Sequence, residues 1–453
     1  MVWMDGLSLA FGASSWLSVN SIFMEMPVLV EELPEMWALP TYLAIIVQLA
    51  CVGPLAYGLL KKRLGRWLDA PVLIVALLCF CILCSVALAL TWRWTVDVNG
   101  RRHSYALFLL TFGVALVNCT SNVLYMPYMT RFQPRHLTAY FVGMACSSLL
   151  PSLVVLAQGS NKSKGCRAPN NETVGDLDRS INGSSDDTLV MGSTDQLNFS
   201  PEIFFAIMAS FLLVSTVSFI LMNWASFAQK HKSSPNLRNS AERKFVQNSE
   251  EAKSLGTAEN SENGQKDEEL AHHRPKSLEI HMSRSLYITL LAIIFWTCSL
   301  TMGILPSIES YAALPYGSST YHLMLALQNI ANPLVCFVPF FWRLRDTRAM
   351  YALTAAGSLC AALILYMAAR SETPLLANHW MGPLLCIGVG ILAFAALSYL
   401  RTSVAGYLRV ATGCPENRLF WMGASTQFGA FLGAFVMFIL VNYGKLFTQP
   451  KGC

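Results

Sequence analysis

The stretch WLSVNSIFMEMPVLVEELP, Trp16 to Pro34, places an amide and a carboxylate inside a long apolar segment. The two residues are Asn20 and Glu25, and the apolar run around them covers residues 5–27. A carboxylate at membrane depth costs at least about 2 kcal/mol unless it faces a cavity or a partner. Such residues commonly mark a substrate or ion pathway, so the segment indicates a membrane span with a role beyond anchoring.

The composition of the whole chain is that of a membrane protein. It has 453 residues, of which 54% are hydrophobic and 13% are charged, whereas soluble domains carry about 25% charged residues. The sequence predicts an all-α polytopic protein with about eleven transmembrane helices. Their apolar runs lie at 5–27, 39–60, 71–92, 104–126, 137–158, 202–224, 285–306, 320–341, 348–369, 380–400 and 418–441. The first run has no basic N-terminal region and no small-residue cleavage site, so a retained span is expected.

Basic residues are distributed unevenly between the two sets of connecting loops. One set, which is cytosolic if the N-terminus is, contains most of them and comprises 61–70, 130–136, 225–284, 342–348 and 401–418. The other set holds fewer, chiefly Arg101, Arg102, Lys162, Lys164 and Arg167. This bias predicts a cytosolic N-terminus and an extracellular C-terminus. The formal net charge of +5 therefore reports topology and not an affinity for nucleic acid.

Glycosylation sequons are a second, independent indication of topology. Four N-x-S/T sequons lie in the loop 159–200, at Asn161, Asn171, Asn182 and Asn198. Because sequons are used in surface loops on the secretory side, this loop is predicted to be extracellular and glycosylated. A further match at Asn118 falls inside the fourth apolar run, where a glycosyltransferase cannot reach it.

A polar segment divides the apolar runs into six and five. Residues 225–284 are rich in Ser, Asn, Lys and Glu, a composition that cannot form a packed core. We predict an N-terminal six-helix bundle at 1–224, a disordered cytosolic linker at 225–284 and a C-terminal five-helix bundle at 285–453. Many transporters move two such bundles about a central site, which makes an alternating-access carrier the expected class by analogy. A regulatory segment with phosphorylatable serines is the alternative interpretation of the linker.

The thirteen cysteines show no disulfide or zinc framework. Most lie in apolar runs, as Cys79, Cys81 and Cys84 do, where a thiol behaves as a small hydrophobic group. Cys166 and Cys453 are expected outside the membrane, and whether they form a bridge stays open. The chain has no hydrolase, metalloprotease, phosphate-loop, flavin or nucleotide motif, so neither an enzyme activity nor a metal or cofactor is predicted.

Neutral polar residues recur inside the predicted spans. The fourth run contains Asn118, Thr120, Ser121 and Asn122 within five positions. These cover every side of a helical turn, so at least one must face the bundle interior. Amides both donate and accept hydrogen bonds, and intramembrane Lys and Arg are missing, so a neutral ligand with several polar groups is favoured over an ion. The alternative for each residue is a hydrogen bond to a neighbouring helix.

Asn20 and Glu25 cannot share one narrow stripe of a helix, because five residues correspond to about 140° of rotation. One can line a cavity while the other braces a helix. Glu25 also lies next to Pro27, close to the outer interface. The alternative to a cavity acid is therefore an interfacial acid that water solvates.

Seven segments resemble the eukaryotic riboflavin transporters, solute carrier family 52. The first three are FGASSWLSVNSIFMEMPVLVEELPEMWALPTYL at 11–43, CTSNVLYMPYM at 119–129 and YFVGMACSSLLPSLVVLAQGS at 140–160. The other four are GILPSIESYAALPYGSSTYHL at 303–323, ANPL at 331–334, SYLRT at 398–402 and GASTQFGAFLGAFVMF at 423–438. The resemblance covers most of the predicted membrane region and is absent from the linker.

The resemblance implies carrier-mediated uptake of riboflavin, vitamin B2, across the plasma membrane, with no covalent chemistry and no cofactor. Riboflavin and the lipid bilayer are the implied partners, and no obligate protein partner is evident. By motif position, the candidate substrate-binding residues are Asn20, Glu25, Thr120, Asn122, Thr301, Tyr321, His322, Asn332 and Gln427. The chain departs from the family pattern at Met144, Met302 and Glu309, where a glutamate, an asparagine and a glutamine are expected.

Two other functions compete with this one. An equilibrative carrier of nucleosides or of another neutral heteroaromatic solute would also need amide-rich walls. Competition by lumichrome-like rings, compared with competition by uridine or adenosine, distinguishes the two carriers. A receptor would need a compact intracellular coupling surface, which the composition of 225–284 does not suggest.

Overall fold

The computed structural model describes residues 2–64, 69–98, 100–129, 131–159, 197–225, 283–341, 344, 346–376, 379–410, 415–444 and 446–449. Several predicted features lie outside these residues. They are the linker between 226 and 282, the sequons at Asn161, Asn171 and Asn182, and the cysteines Cys166 and Cys453.

The helices of the N-terminal half follow the first six apolar runs. Helix is the expected form, because a chain in lipid must pair its backbone polar groups within the segment. The helices are α1 (Val2–Ala13), α2 (Leu17–Met24), α3 (Met26–Glu32), α4 (Leu39–Leu49), α5 (Val52–Leu64), α6 (Ala70–Thr91), α7 (Tyr105–Met129), α8 (Pro134–Gln158) and α9 (Pro201–Trp224), with a 3-10 turn at Met36–Ala38.

The C-terminal half follows the remaining five runs. Its helices are α10 (Arg284–Ser299), α11 (Leu305–Ala313), α12 (Ser318–Phe341), α13 (Thr347–Ala369), α14 (Met381–Val410) and α15 (Pro415–Asn442), with a 3-10 turn at Leu314–Tyr316. The helices extend into several of the predicted cytosolic loops: α5 ends at Leu64, α8 begins at Pro134, α13 at Thr347 and α15 at Pro415. The largest difference is in α14, which continues to Val410. Arg401, which was expected in a loop at 401–418, therefore lies on this helix.

Nine helices among the described residues are long and apolar enough to cross a membrane, and ten if the bent pair α1 and α2 is one span. Helix α12, with 24 residues, corresponds to the predicted eighth run but is not one of these. The protein is thus an α-helical multi-pass membrane protein, as predicted. The total of eleven spans stays a prediction.

The all-α prediction omits one short hairpin between α6 and α7. Strands β1 (Val96–Val98) and β2 (Arg101–His103) pair antiparallel, with Val98 opposite Arg101. Gly100 adopts a φ of 78° in the turn, a conformation that glycine reaches without steric cost.

The first span is broken between α1 and α2, where the chain bends by 54°. The first amides of α2 have no partner within the helix, and α7 supplies partners. The Asn118 side-chain oxygen accepts from the Val19 N–H at 3.2 Å, in the amide orientation that pairs both of its polar groups. The Ser121 hydroxyl contacts the Ser15 carbonyl at 3.3 Å. Asn118 and Ser121 therefore stabilise a break in a neighbouring span.

The seventh span has its own irregularity. Residues Leu300–Ile304 form a π-helical segment between α10 and α11, just before Pro306. Proline has no N–H and its ring clashes with the carbonyl of the preceding turn, and a π segment is one way in which a helix accommodates such a disturbance.

Each half contains a crossing in which a glycine brings two helix backbones into contact. Helix α1 crosses α8 at Gly143, where an added Cβ would lie 2.0 Å from the Leu9 carbonyl oxygen. Helix α10 crosses α15 at Gly429, where an added Cβ would lie 2.2 Å from the Phe295 carbonyl oxygen. Close backbone approach is a main source of helix association in lipid, where apolar burial gives little driving force.

The two halves meet through α3, α4 and α8 on one side and α11, α12 and α15 on the other. The Ser310 hydroxyl donates to the Trp37 carbonyl at 2.7 Å. The Asn442 amide donates to the Thr41 hydroxyl at 3.2 Å. These contacts lie at the end of the bundle where residues 314–318 connect α11 to α12. We call this end of the bundle the closed end.

Candidate substrate site

Glu25 is buried beside Gln158 at the junction of α2 and α3. The Gln158 amide nitrogen donates to Glu25 Oε1 at 2.9 Å and to the Phe199 carbonyl at 3.2 Å. Glu25 Oε2 has no hydrogen-bond partner among the described residues. With 0% exposure, this side chain does not fit the alternative of an interfacial acid that water solvates.

Glu309 is a second buried acid, and it lies in the C-terminal half. It lies on α11, is 2% exposed, and lies close to the Gln328 side chain of α12. Glu309 Oε1 and Gln328 Nε2 have no partner in the part of the chain that the structure describes. A buried carboxyl group is costly unless it is paired, and each half contains one buried acid with an oxygen that has no hydrogen-bond partner among the described residues.

Trp16 and Asn122 contact each other between the start of α2 and α7. The Trp16 indole nitrogen donates to Asn122 Oδ1 at 3.3 Å. Asn122 is exposed and Trp16 half-buried, although both lie at membrane depth. Asn20 follows one helical turn after Trp16 and is also half-buried, with its amide nitrogen 3.5 Å from the Ser147 hydroxyl of α8. We call Trp16, Asn20 and Asn122 the ring–amide wall.

Gln427 approaches the same level of the bundle from the C-terminal half. It is exposed on α15, and its Oε1 accepts a hydrogen bond from the Cys51 thiol at 3.1 Å. Cys51 in turn contacts Cys119, Sγ to Sγ, at 3.8 Å. Because Cys119 precedes Asn122 by less than one turn of α7, Gln427 and Asn122 lie at a similar depth on facing halves.

Asn332 is half-buried on α12. Its Oδ1 is 3.8 Å from the Cys336 thiol, one turn later on the same helix. One turn before Asn332, the Asn329 carbonyl is 3.4 Å from the Ser148 hydroxyl of α8. Asn332 therefore lies beside a direct contact between the halves, which is consistent with a place in the site.

Two candidate residues occupy helix contacts instead of a cavity. Thr120 is 4% exposed, and its hydroxyl donates to the Leu116 carbonyl at 2.7 Å. An added Cβ at Gly53 would lie 2.6 Å from this hydroxyl, so Thr120 packs against α5. Thr301 lies in the π-helical segment and donates to the Thr297 carbonyl at 2.9 Å. Both hydroxyls are thus used within their own helices.

Tyr321 and His322 are buried near the closed end, with 1% and 5% exposure. His322 Nε2 lies 2.9 Å from the Val155 carbonyl of α8, and this nitrogen donates when it carries the proton. The contact joins α12 to α8 and so crosses between the halves. Tyr321 lies within electrostatic range of Glu309. We assign these two residues to the contact between the halves, away from the ring–amide wall.

Four candidate side chains that the structure leaves exposed or half-buried, Asn20, Asn122, Asn332 and Gln427, are neutral amides. Such groups can donate to and accept from an uncharged solute, and the Trp16 ring offers a flat surface beside them. The described residues contain no group of three or more His, Cys, Asp or Glu that could hold a metal ion. The sequence does not single out Gln158 or Ser147 as site residues, and only their packing in space connects them to Glu25 and Asn20.

Comparisons with known proteins agree with this architecture. A family model described as "Solute carrier family 52, riboflavin transporter" matches residues 1–449. The chain is 35% identical to riboflavin transporter rft-2 of Caenorhabditis elegans, over 98% of this chain and 96% of that protein. It is 32% identical to the riboflavin transporter member 3 of the same family in Homo sapiens, over 98% of this chain and 96% of that protein.

Solved structures share the fold at low sequence identity. A D-xylose-proton symporter has a TM-score of 0.58 at 10% identity, with 97% of this chain and 89% of that chain covered. The nucleoside transporter NupG has a TM-score of 0.51 at 12% identity, with 97% and 91% covered. The fold is therefore that of known membrane transporters, and the full-length match to the family model identifies this chain as a member of solute carrier family 52, the riboflavin transporters.

Proposed function

We propose that this protein is a carrier that takes up riboflavin by alternating access. The observation that carries the proposal is the pair of exposed neutral amides, Asn122 and Gln427, on facing halves at membrane depth. Riboflavin is an uncharged ring system with several hydrogen-bonding groups and a polyol chain, which suits amides beside the Trp16 ring. The names of the relatives support the same substrate. No covalent step and no bound cofactor take part.

Uptake of labelled riboflavin into cells that express the chain tests this proposal. We expect saturable uptake that unlabelled riboflavin and lumichrome reduce and that excess uridine or adenosine leaves unchanged. Nucleosides that compete as well as riboflavin would instead favour the nucleoside carrier. Expressing cells that take up no more than untransfected cells, with the protein at the surface, would contradict a transport function.

Within this carrier we assign substrate contacts to Asn20, Asn122, Asn332 and Gln427, with Trp16 as the stacking surface. The first two lie on the N-terminal half and the next two on the C-terminal half, so a substrate between them contacts both bundles. Alternating access requires a site that both halves share. We assign Thr120 and Thr301 to helix packing. Tyr321 and His322 are assigned to the contact between the halves near the closed end.

Glu25→Gln is predicted to lower riboflavin uptake several-fold at equal surface abundance. The change keeps the shape of the side chain but replaces the carboxyl group, whose Oε1 accepts from Gln158 Nε2 at 2.9 Å, with a neutral amide. Hydrogen bonds to charged groups contribute about 1.5–3 kcal/mol, more than neutral ones. Initial uptake rates, normalised to surface biotinylation, measure the effect. Glu202→Gln, on an acid that is partly exposed at the start of α9, is the control.

We also propose that the carrier lies in the plasma membrane with its N-terminus in the cytosol. Three of the four sequons fall outside the described residues, and the fourth, Asn198, is exposed just before α9. Its side-chain nitrogen donates to the Ala157 carbonyl at 2.9 Å. The charge bias between the loops supports this orientation.

Replacing all four sequon asparagines by glutamine is predicted to abolish the glycan shift of the protein on gels. Deglycosylation of the parent with an amidase should give the same mobility as the quadruple variant. A variant with only Asn198 left reports whether this position is used next to the membrane. A shift that survives the quadruple change would contradict an extracellular 159–200 loop.

The segment 225–284 is proposed to act as a linker between a six-helix and a five-helix half. Removal of about 30 residues between Ser240 and Ala271 is predicted to leave the apparent affinity for riboflavin unchanged, because a chain of this composition forms no packed core. Concentration-dependent uptake measures the affinity, and a scrambled segment of equal length is the control. Loss of uptake with normal surface abundance would favour the regulatory alternative.

A further inference from the structure

Two thiols from different helices lie next to each other in the N-terminal half. The Sγ atoms of Cys51 and Cys119 are 3.8 Å apart. Cys51 lies between α4 and α5, and Cys119 lies on α7. The backbones are close here, because an added Cβ at Gly53 would lie 3.0 Å from the Leu116 carbonyl oxygen. A disulfide forms only where two Cα atoms lie within about 7 Å, and this crossing brings the two thiols together.

The pair is buried on one side and accessible on the other. Cys119 is 2% exposed, whereas Cys51 is half-buried. The Cys51 thiol also donates to Oε1 of Gln427, a residue that is itself exposed. A small water-soluble oxidant that enters between the halves therefore reaches Cys51 first. Cys119 is then positioned as the second, resolving thiol, as in redox-responsive pairs.

We propose that Cys51 and Cys119 are a modification site at which a peroxide forms a reversible disulfide. Cys51 sulfur attacks one peroxide oxygen, the O–O bond breaks, and sulfenic acid and one water result. The Cys119 sulfur then attacks the sulfenic sulfur, an S–S bond forms, and the second water leaves. Two electrons pass from the two sulfurs to the peroxide, and both thiol protons end in water. A dithiol reductant reverses the step by exchange.

The disulfide changes a contact between the halves. Once oxidised, Cys51 has no S–H to donate to Gln427, so this link between the α4–α5 junction and α15 is lost. The same bond ties the junction covalently to α7. Because Gln427 lies on the opposite half from both cysteines, oxidation is expected to alter the movement of one half against the other. We expect uptake to fall several-fold and to recover after reduction.

Peptide mapping of the full-length protein in membranes tests the site. After treatment with hydrogen peroxide and alkylation of the remaining thiols, mass spectrometry is expected to find a peptide linked through Cys51 and Cys119. Dithiothreitol should remove it, and both Cys119→Ala and Cys51→Ala should prevent it. Cys79→Ala is the matched control, since Cys79 is exposed on α6, a helix that carries neither thiol of the pair, and its loss should leave the linked peptide in place.

Riboflavin uptake after peroxide measures the consequence. The parent and Cys79→Ala are expected to lose uptake after peroxide and to regain it with dithiothreitol. Cys51→Ala and Cys119→Ala are each expected to show the same uptake rate with and without peroxide. Failure to find the linked peptide at any peroxide concentration that leaves the protein intact overturns the site. Equal inhibition of the parent and both pair variants overturns its effect on transport. The linked peptide is independent of the substrate, so this result stands apart from the proposed function.

Discussion

Gly429→Ala is expected to lower the thermal unfolding midpoint of the purified protein by several degrees and to reduce its surface abundance. The new Cβ would lie 2.2 Å from the Phe295 carbonyl oxygen and 2.9 Å from the carbonyl carbon. These are backbone atoms of α10, so no side chain can rotate away. Helices α10 and α15 must separate, and overpacking of this kind costs about 1–3 kcal/mol or more. In lipid, the lost contacts are not replaced by apolar burial elsewhere.

Gly423→Ala is the matched control on the same helix. Nothing lies within 4 Å of an added Cβ at this position, and alanine is favoured over glycine in a helix by up to about 1 kcal/mol. We therefore expect Gly423→Ala to be neutral or slightly stabilising. Thermal unfolding in detergent, followed by the fluorescence of the native tryptophans, compares the two variants. Equal midpoints would contradict the close crossing of α10 and α15.

The spans themselves were predictable because their signal is local. A run of about twenty apolar residues has few alternatives to a helix in lipid, and ten of the predicted runs correspond to helices or a bent pair that meet the length and hydropathy requirements. The breaks within the spans were harder to predict from the sequence. The break at residues 14–16 contains neither proline nor glycine, and its partners Asn118 and Ser121 are about a hundred residues away.

The polar cluster of the fourth run shows why site residues are harder to predict than spans. Four polar side chains on adjacent positions have similar chemistry, but the structure gives them different surroundings. Asn118 and Ser121 form hydrogen bonds with backbone groups at the break in the first span. The Thr120 hydroxyl donates within α7, and Asn122 is exposed beside Trp16. Sequence alone establishes that one face must point inward, and packing decides which residue occupies it.

The two buried acids illustrate a second reason. Glu25 was expected either at the interface or in a cavity, but it is buried against Gln158, a residue 133 positions later. Glu309 departs from the family pattern in the sequence, and the structure buries it close to Gln328 of α12. A carboxyl group in an apolar run signals a partner. Its identity depends on which helices cross, and this information is not local.

Asn122→Ala is expected to weaken the apparent affinity for riboflavin by about tenfold or more. A substrate group that loses its hydrogen-bond partner in a water-poor site costs about 1–3 kcal/mol, and about 1.4 kcal/mol corresponds to one factor of ten. The same change removes the acceptor of the Trp16 indole N–H, which lies 3.3 Å from Asn122 Oδ1. Without this contact the Trp16 ring is no longer held in one orientation. The variant therefore loses part of the stacking with the substrate in addition to the hydrogen bond from Asn122.

Thr120→Val on the same helix separates a binding role from a packing role. Thr120 lies two positions before Asn122, but its hydroxyl is 4% exposed and donates to the Leu116 carbonyl. Valine keeps the shape that packs against Gly53, so affinity is expected to stay close to that of the parent. Concentration-dependent uptake at equal surface abundance compares the two variants. If Thr120→Val loses affinity and Asn122→Ala does not, the substrate contacts the opposite face of α7, and the ring–amide wall is not the site.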